Sequence, residues 1–253
     1  MKILVWGIGG KMGHMLMECI EKNPDTELAG GVDKFADPKD FKVPVFKNAM
    51  EINVDVDVII DFSRPEALGE ILTFAISKNI PLVSCTTGYT DEQNALIKKA
   101  SESIAIFKSS NMSVGINLLI ALCKKATNLL GEDFEVEIIE QHHDRKVDSP
   151  SGTALSIAEA INEEYNNSKP FVYGRHSKTE KRTKEEIGIH AVRGGTIVGK
   201  HDVLFIGQDE VVTLSHEAQS RQVFANGAVK AAIYIANKKP GMYNMNDLLS
   251  TVL

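Results

Sequence analysis

Cysteine is scarce in this sequence: three in 253 residues, Cys19, Cys85 and Cys123, with no Cys-x-x-Cys pair. An odd number at wide spacing excludes a disulfide framework and a thiolate zinc site. It reads as reduced thiols in a cytoplasmic protein, each a small core or near-core residue. No apolar run approaches the roughly 20 residues of a membrane-spanning helix, so no membrane partner is expected. After Met1-Lys2 comes a short apolar stretch running into glycines, without the cleavage pattern of a signal peptide. Positive charge is not in surplus either. The net charge of −6 argues against a nucleic-acid partner. Repeats, low-complexity tracts and proline-rich linkers are absent, so domain boundaries must come from pattern. What remains is an ordinary globular composition, 43% hydrophobic and 25% charged, long enough for one large domain or two modest ones.

The first half has a nucleotide-binding rhythm. Lys2-Ile-Leu-Val-Trp6 is a short apolar strand ending in Gly7-Ile-Gly9-Gly10-Lys11-Met12-Gly13. An amphipathic stretch follows, with Met12, Met15, Leu16, Cys19 and Ile20 on one helical face. A second strand, 27–32, ends at Asp33-Lys34. Strand, glycine turn, helix, strand and acid is the opening of a dinucleotide-binding fold. Glycines let a pyrophosphate approach the N–H groups at the helix start. The spacing is Gly7-x-x-Gly10-x-x-Gly13 with Gly9 added, not a strict G-x-G-x-x-G. A glycine turn alone is weak evidence, but Asp33 lies about 20 residues beyond the last glycine, where a carboxylate accepts from an adenosine ribose hydroxyl. Lys34 beside it can pair with a 2′-phosphate, so NADH and NADPH both fit.

The alternation continues with a buried strand at 56–60, a helix from Arg64-Pro65 to about 79, and a strand at 81–84 before Cys85-Thr86-Thr87-Gly88. A helix from Asp91 and a strand at 104–107 follow. This predicts an α/β chain with a Rossmann-like, doubly wound parallel sheet, whose ligands bind at the carboxyl ends of the strands. Phe62-Ser63, Thr86-Thr87-Gly88 and Ser109-Ser110-Asn111-Met112 all fall there. In the second half a helix is expected from 113 to about 131, an alternating strand at 133–139 and a helix from 151 to about 165. Strands at 187–193, 200–206 and 210–215 then succeed one another without helices between, as in an α+β domain with a mixed or antiparallel sheet. The expected division is a dinucleotide-binding domain at 1–112 and 221–253, and a second domain at 113–220.

Between those elements lies Glu140-Gln-His142-His143-Asp-Arg-Lys146-Val-Asp-Ser-Pro-Ser151-Gly152-Thr153-Ala154. On extended chain, adjacent His142 and His143 point opposite ways, which disfavours one shared metal. No His-Glu-x-x-His or acidic cage accompanies them, and no metal is expected. A charge run is usually a solvated loop. Here it leads into Ser151-Gly152-Thr153 at a helix start, where unpaired N–H groups seat a carboxylate or phosphate. Lys146 adds a full charge, and an imidazole with a pKa near 6.5 can give up a proton at neutral pH. The stretch describes a site for an anionic substrate protonated during reaction.

At this point the chain resembles the 4-hydroxy-tetrahydrodipicolinate reductase family, long called dihydrodipicolinate reductase, across essentially its whole length. The resemblance is carried by Gly7 to Gly13, Cys85-Thr-Thr-Gly88, Ser110-Asn-Met-Ser-Val-Gly-Ile-Asn117, the stretch from Glu140 to Ala154, and Arg221-Gln-Val-Phe-Ala-Asn-Gly-Ala228, in that order. The segment from His142 to Thr153 is highly specific; the glycine loop alone is not. The resemblance implies that NAD(P)H delivers hydride to C4 of a cyclic conjugated imine carrying two carboxylates, in lysine and diaminopimelate biosynthesis. It implies His142 as proton donor and Lys146 as the residue that binds substrate and stabilises developing charge. His143, Ser151, Gly152 and Thr153 become carboxylate contacts. Cofactor contacts become Gly7, Gly9, Gly10, Lys11, Met12, Gly13, Asp33, Lys34, Thr86, Thr87, Gly88, Ser110, Asn111, Met112 and Ser113. It further implies a homotetramer assembled through the second domain's sheet.

The chemistry agrees with that transfer. Hydride arrival leaves negative charge on the conjugated system, so a cation and a proton donor belong beside it. Two carboxylates need two anion seats, the helix start and the basic side chains. Sites on separate domains imply a closure that expels water. Several positions depart from the commoner family pattern: Cys85 for glycine, Trp6 for a small residue, Asp144-Arg145 for basic residues, and Lys34 for arginine. A different reading is a dinucleotide-binding sensor that kept the fold without the chemistry, against which the intact His142 and Lys146 pair stands. A third, another small oxidised acid as substrate, rests on fold analogy alone.

Overall fold

The computed structural model describes residues 1–250 and divides into two compact units, Met1–Val114 with the segment from Arg221 onward, and Gly115–Ser220. The first unit begins with β1 (Lys2–Trp6), α1 (Lys11–Lys22), β2 (Glu27–Val32), β3 (Val45–Phe46), β4 (Val58–Asp61), α2 (Leu68–Lys78), β5 (Leu82–Ser84), α3 (Asp91–Ala100) and β6 (Ala105–Lys108). α4 (Val114–Leu130) leads into the second unit, with β7 (Glu135–His142), α5 (Gly152–Glu164), β8 (Phe171–Tyr173), β9 (Ile187–Arg193), β10 (Gly199–Ile206) and β11 (Val211–Ala218). α6 (Gln222–Ile235), β12 (Gly241–Tyr243) and α7 (Met245–Leu249) belong to the first unit again.

The first unit's sheet has the order β12-β6-β5-β4-β1-β2-β3, and every neighbouring pair is parallel. A parallel sheet must be covered on both faces, which is why its strands read as continuous apolar runs. Ile3, Val5, Ile60, Val83 and Phe107 face α1 and α6. Leu4, Ile59, Leu82 and Ile106 face α2 and α3. Each such side chain, fully buried, contributes about 1.5–3 kcal/mol. The strand order reverses between β1 and β4. That point is where an open α/β sheet leaves a crevice at its carboxyl edge.

The second sheet runs β11-β10-β7-β9-β8. β10 is antiparallel to both β11 and β7, whereas β7, β9 and β8 run parallel, so the sheet is mixed. Alternate residues Val136, Ile138, Ile187, Ile189, Val203 and Phe205 pack against Leu119 and Cys123 of α4 and Ile157 and Ile161 of α5. This is the doubly wound parallel sheet plus α+β arrangement that the pattern predicts. The helix expected from Arg64-Pro65 starts as a 3-10 turn at Pro65–Ala67, and β7 continues past residue 139 to His142. β3, β8 and β12 were not anticipated; two or three residues are too few to show a period. Val114–Asp133 is long and apolar enough to cross a membrane by length and a mean hydropathy of 1.2, which corrects the expectation that no run approaches such a span. In the second unit its Leu119 and Cys123 are buried in the core, and Lys124 pairs with Glu163 and Glu164 of α5.

Candidate active site

Two sites take shape, one in each unit. In the first unit a cleft of about 590 Å³ opens at the β1 and β4 carboxyl ends, lined among others by Trp6, Gly7, Gly9, Gly10, Asp33 and Lys34. Gly7 has φ +83°, and a Cβ there would stand 2.7 Å from the Phe62 carbonyl oxygen. Gly13 is buried, and a Cβ on it would run into the carbonyls of Gly7 and Ile8. The turn therefore needs glycine at both places. α1 starts from Gly10 with no side-chain cap, leaving its first N–H groups available to an anion. Asp33 Oδ2 accepts from Gly9 N at 3.0 Å, and its Oδ1 accepts from Phe35 N at 2.9 Å and Ala36 N at 3.2 Å. A carboxylate has about four acceptor positions, so one remains for a ribose hydroxyl. Lys47 donates to the Lys34 carbonyl at 3.3 Å and also to that of Ala36, bracing the turn that carries Lys34. These residues fit a dinucleotide.

The other predicted cofactor residues are distributed differently. Lys11 is exposed, while Met12 packs against the core beneath the turn. Thr86 is buried and Thr87 and Gly88 are exposed beyond β5, and Ser110, Asn111, Met112 and Ser113 follow β6, on the same carboxyl edge but outside the cleft lining. Buried Asp61, at the end of β4, ties the loop after β4 to the loop after β5. It accepts from Ser63 N at 2.9 Å and from Tyr89 OH at 3.1 Å. Burial pushes the Asp61 carboxyl above its ordinary value, against the pull of Ser63. Trp6 is buried against Phe74, ring centroids 6.3 Å apart. Cys85 is buried and is not among the positive-φ residues of the described chain, so no special backbone angle exists at that departure from the family pattern.

In the second unit β7 brings His142 to its last position, on the buried face. His142 Nδ1 lies 2.6 Å from Glu140 Oε2, and Nε2 has no partner among the described residues. Burial pushes the His142 pKa down, Glu140 pulls it back, and Lys146 and Arg193 add to the decrease; the balance lies below the ordinary value. Beyond the strand, Lys146 Nζ is 2.9 Å from Asp148 Oδ2, and Lys146 N donates to the His143 carbonyl at 3.2 Å. Lys146 holds the Asp148 carboxyl below its usual value despite some desolvation, with the Gly152 N–H helping. Asp148 thus engages both the Lys146 cation and the start of α5. Ser151 caps α5, its Oγ accepting from Ala154 N at 3.1 Å. Gly152 is exposed, with nothing within 4 Å of a Cβ built on it. Thr153 is half-buried in the first turn, and His143 Nδ1 is buried without a partner. His142, His143, Lys146, Ser151, Gly152 and Thr153 therefore belong to one strand end, one loop and one helix start. Among the described residues no cluster of three or more His, Cys, Asp or Glu is placed to hold a metal ion.

Three neighbours were missed by the sequence reading. Glu140 is completely buried and receives four hydrogen bonds: Arg193 at 2.8 and 2.7 Å, His142 at 2.6 Å and Ser151 N at 2.8 Å. Burial resists its ionisation, but Arg193, His142 and Ser151 outweigh that and hold its carboxyl below the ordinary value. Removing Arg193 would leave the buried Glu140 carboxylate without its cation, at a cost of about 3–5 kcal/mol. His201 packs edge-on to His142, ring centroids 5.2 Å apart. The period-two pattern of β7 contained a signal: Val136, Ile138, Glu140 and His142 share a face, and a glutamate on a buried face calls for a cation.

Comparison with known proteins agrees with both halves. The chain matches the family models described as dihydrodipicolinate reductase, N-terminus, over residues 1–112, and dihydrodipicolinate reductase, C-terminus, over residues 115–249. A 4-hydroxy-tetrahydrodipicolinate reductase of Caldanaerobacter subterraneus subsp. tengcongensis is 49% identical over 98% of each chain. One from Clostridium botulinum is also 49% identical, again over 98% of each. A solved dipicolinate-bound dihydrodipicolinate reductase from Paenisporosarcina sp. TG-14 superposes with a TM-score of 0.79 at 28% identity, covering 97% of this chain and 98% of that one. With both halves matched and near-half identity along almost its whole length, the chain belongs to the dihydrodipicolinate reductase family of oxidoreductases.

Proposed function

We propose that the protein reduces 4-hydroxy-tetrahydrodipicolinate to tetrahydrodipicolinate with NADH or NADPH, a step in lysine and diaminopimelate biosynthesis. Loss of the 4-hydroxyl as water leaves a conjugated imine, to whose C4 the reduced nicotinamide, when bound, would supply a hydride. The chain's residues do the rest. Gly7, Gly9 and Gly10 let the pyrophosphate reach the N–H groups at the start of α1, and Asp33 and Lys34 read the adenosine ribose. One substrate carboxylate meets the N-terminus of α5 at Ser151, Gly152 and Thr153, and Lys146 and His143 meet the other. In taking its place, the substrate displaces Asp148 from Lys146. A dianion beside His142 favours the imidazolium, which donates its Nε2 proton to the carbon next to C4 while Lys146 stabilises the developing charge.

The observation that carries this reading is the single run from β7 to α5. It supplies a buried imidazole, an ammonium and a helix start within a dozen residues. The dipicolinate bound by the Paenisporosarcina protein is a planar dicarboxylate of the same class. Freshly generated substrate should drive oxidation of NADH or NADPH, and a deuteride from the labelled cofactor should appear at C4 by NMR. Absence of turnover with both cofactors would favour the sensor reading. We place the protein in the cytoplasm, supported by three free, buried cysteines. We also propose a homotetramer built through the sheet face away from the helices, where Ile139, Leu204, Ile206 and Val211 lie among polar residues. A monomeric sedimentation profile would remove that part.

A further inference from the structure

Beneath the acid and the anion seat lies a charged pair that touches neither substrate nor cofactor in the scheme above. Arg193, at the end of β9, spans both oxygens of Glu140 on β7, at 2.8 and 2.7 Å. Its Nη2 also donates to the Asp148 carbonyl at 2.7 Å. Glu140 passes the connection on in two directions, to His142 Nδ1 at 2.6 Å and to Ser151 N at 2.8 Å. One carboxylate with no solvent exposure thus grips the imidazole, the cap of α5 and, through Arg193, the loop between them. A solvated surface carboxylate fixes nothing, whereas a dry one with every lone pair engaged fixes the direction of each donor.

We infer that Glu140, clamped by Arg193, is a positioning residue that holds His142 in the Nδ1–H tautomer with Nε2 left bare on the other side of the ring, and that sets the helix-start seat in register with it. This deepens the reading of His142 as proton donor and rests on it. The argument is one of donor count. An ionised Glu140 can only accept, so the His142 nitrogen facing it must carry a hydrogen. The proton that comes and goes is then the one on Nε2. The charged and titratable groups facing the imidazole are Glu140 from β7, Lys146 from the following loop, Arg193 from β9 and His201 from β10. Of these only Glu140 favours the imidazolium, and Arg193 keeps that carboxylate ionised in a dry setting.

Glu140→Gln tests the device with little change of shape. An amide oxygen can still accept from Ser151 N, but its NH2 then faces His142 and Arg193, both donors. The imidazole must move its hydrogen to Nε2 or turn away. Turnover should fall about 100-fold, the size of a general acid's contribution, with the Michaelis constant for substrate changed far less. The alkaline limb of the kcat profile, where His142 loses the proton it donates, should move to lower pH, because the only anion beside the ring has gone. Arg193→Lys, which cannot span both oxygens, should lie between the two. Nitrogen-15 NMR of the histidines in the unaltered full-length protein reads the tautomer directly and does not depend on any variant folding. Nδ1–H with a bare Nε2 at neutral pH supports the assignment. His142→Gln separates the two layers: full turnover there removes the donor role, while the tautomer measurement still decides the positioning role. An Nε2–H tautomer in the unaltered protein, or a folded Glu140→Gln enzyme with unchanged kcat and pH profile, would overturn the inference.

Discussion

Lowering the pH should cost this protein stability through one histidine in particular. His201 is 3% exposed, has Nε2 3.2 Å from Ser151 Oγ and leaves Nδ1 without a partner. Burial pushes its pKa down to about 4, and His142, His216 and Lys146 add to that against a smaller pull from Glu140. In the unfolded chain a histidine titrates near 6.5. Between those values the unfolded state carries the proton and the folded state does not, so stability falls as pH falls through that window. The gap of about 2.5 units corresponds to roughly 3 kcal/mol lost between pH 7 and pH 4. Urea unfolding followed by far-ultraviolet circular dichroism, at fixed protein concentration, measures it. Carboxylates and other histidines also titrate, so the informative quantity is a difference. The unaltered protein should lose about 3 kcal/mol more than His201→Gln over the same interval. Equal losses in the two proteins, or an NMR midpoint for His201 at or above the ordinary histidine value, would refute the reasoning.

Other perturbations address the remaining parts. Lys146→Ala should weaken binding of pyridine-2,6-dicarboxylate by about 10- to 100-fold in calorimetry, the value of a charge-assisted hydrogen bond, and should also slow turnover. Unchanged affinity would make Lys146 a surface charge. Asp33→Ala should raise the Michaelis constant for NADH more than for NADPH, since a ribose hydroxyl has only that carboxylate while a phosphate also has Lys34; equal effects would mean that Asp33 acts only by bracing Gly9. Gly13→Ala should destabilise the first unit by about 1–3 kcal/mol and raise the Michaelis constant for both cofactors, because its methyl meets the backbone of the glycine turn. Unaltered melting and kinetics would show that the turn yields freely.

The alternation of strands and helices was readable because buried parallel strands such as β1 and β4 carry unbroken apolar runs, Ile3 to Trp6 and Val58 to Ile60, and α1 shows its stripe clearly. The mixed character of the second sheet was readable from consecutive strands without helices. Short edge strands were not, since Val45–Phe46 and Gly241–Tyr243 are defined by their neighbours' hydrogen bonds rather than by their own residues. The same distinction runs through the site. His142, Lys146 and Ser151 stand close in sequence and announce themselves as a group. Arg193 reaches Glu140 across 53 positions and His201 reaches Ser151 across 50, and no local pattern encodes those meetings. Their signal was indirect, a glutamate at a core-facing position of a strand.

The first unit's sheet ends on β12, laid beside β6, and one of its faces is covered by α6 with its buried Ala225, Ala228, Ala231 and Ala232. Both segments come after the entire second unit in the chain. On the ribosome, residues 115–220 emerge as an uninterrupted block, whereas the first unit waits for its closing pieces until α6 and β12 have followed that block. The half that starts first is completed last, and until then a sheet edge and an apolar face stand open to other nascent chains.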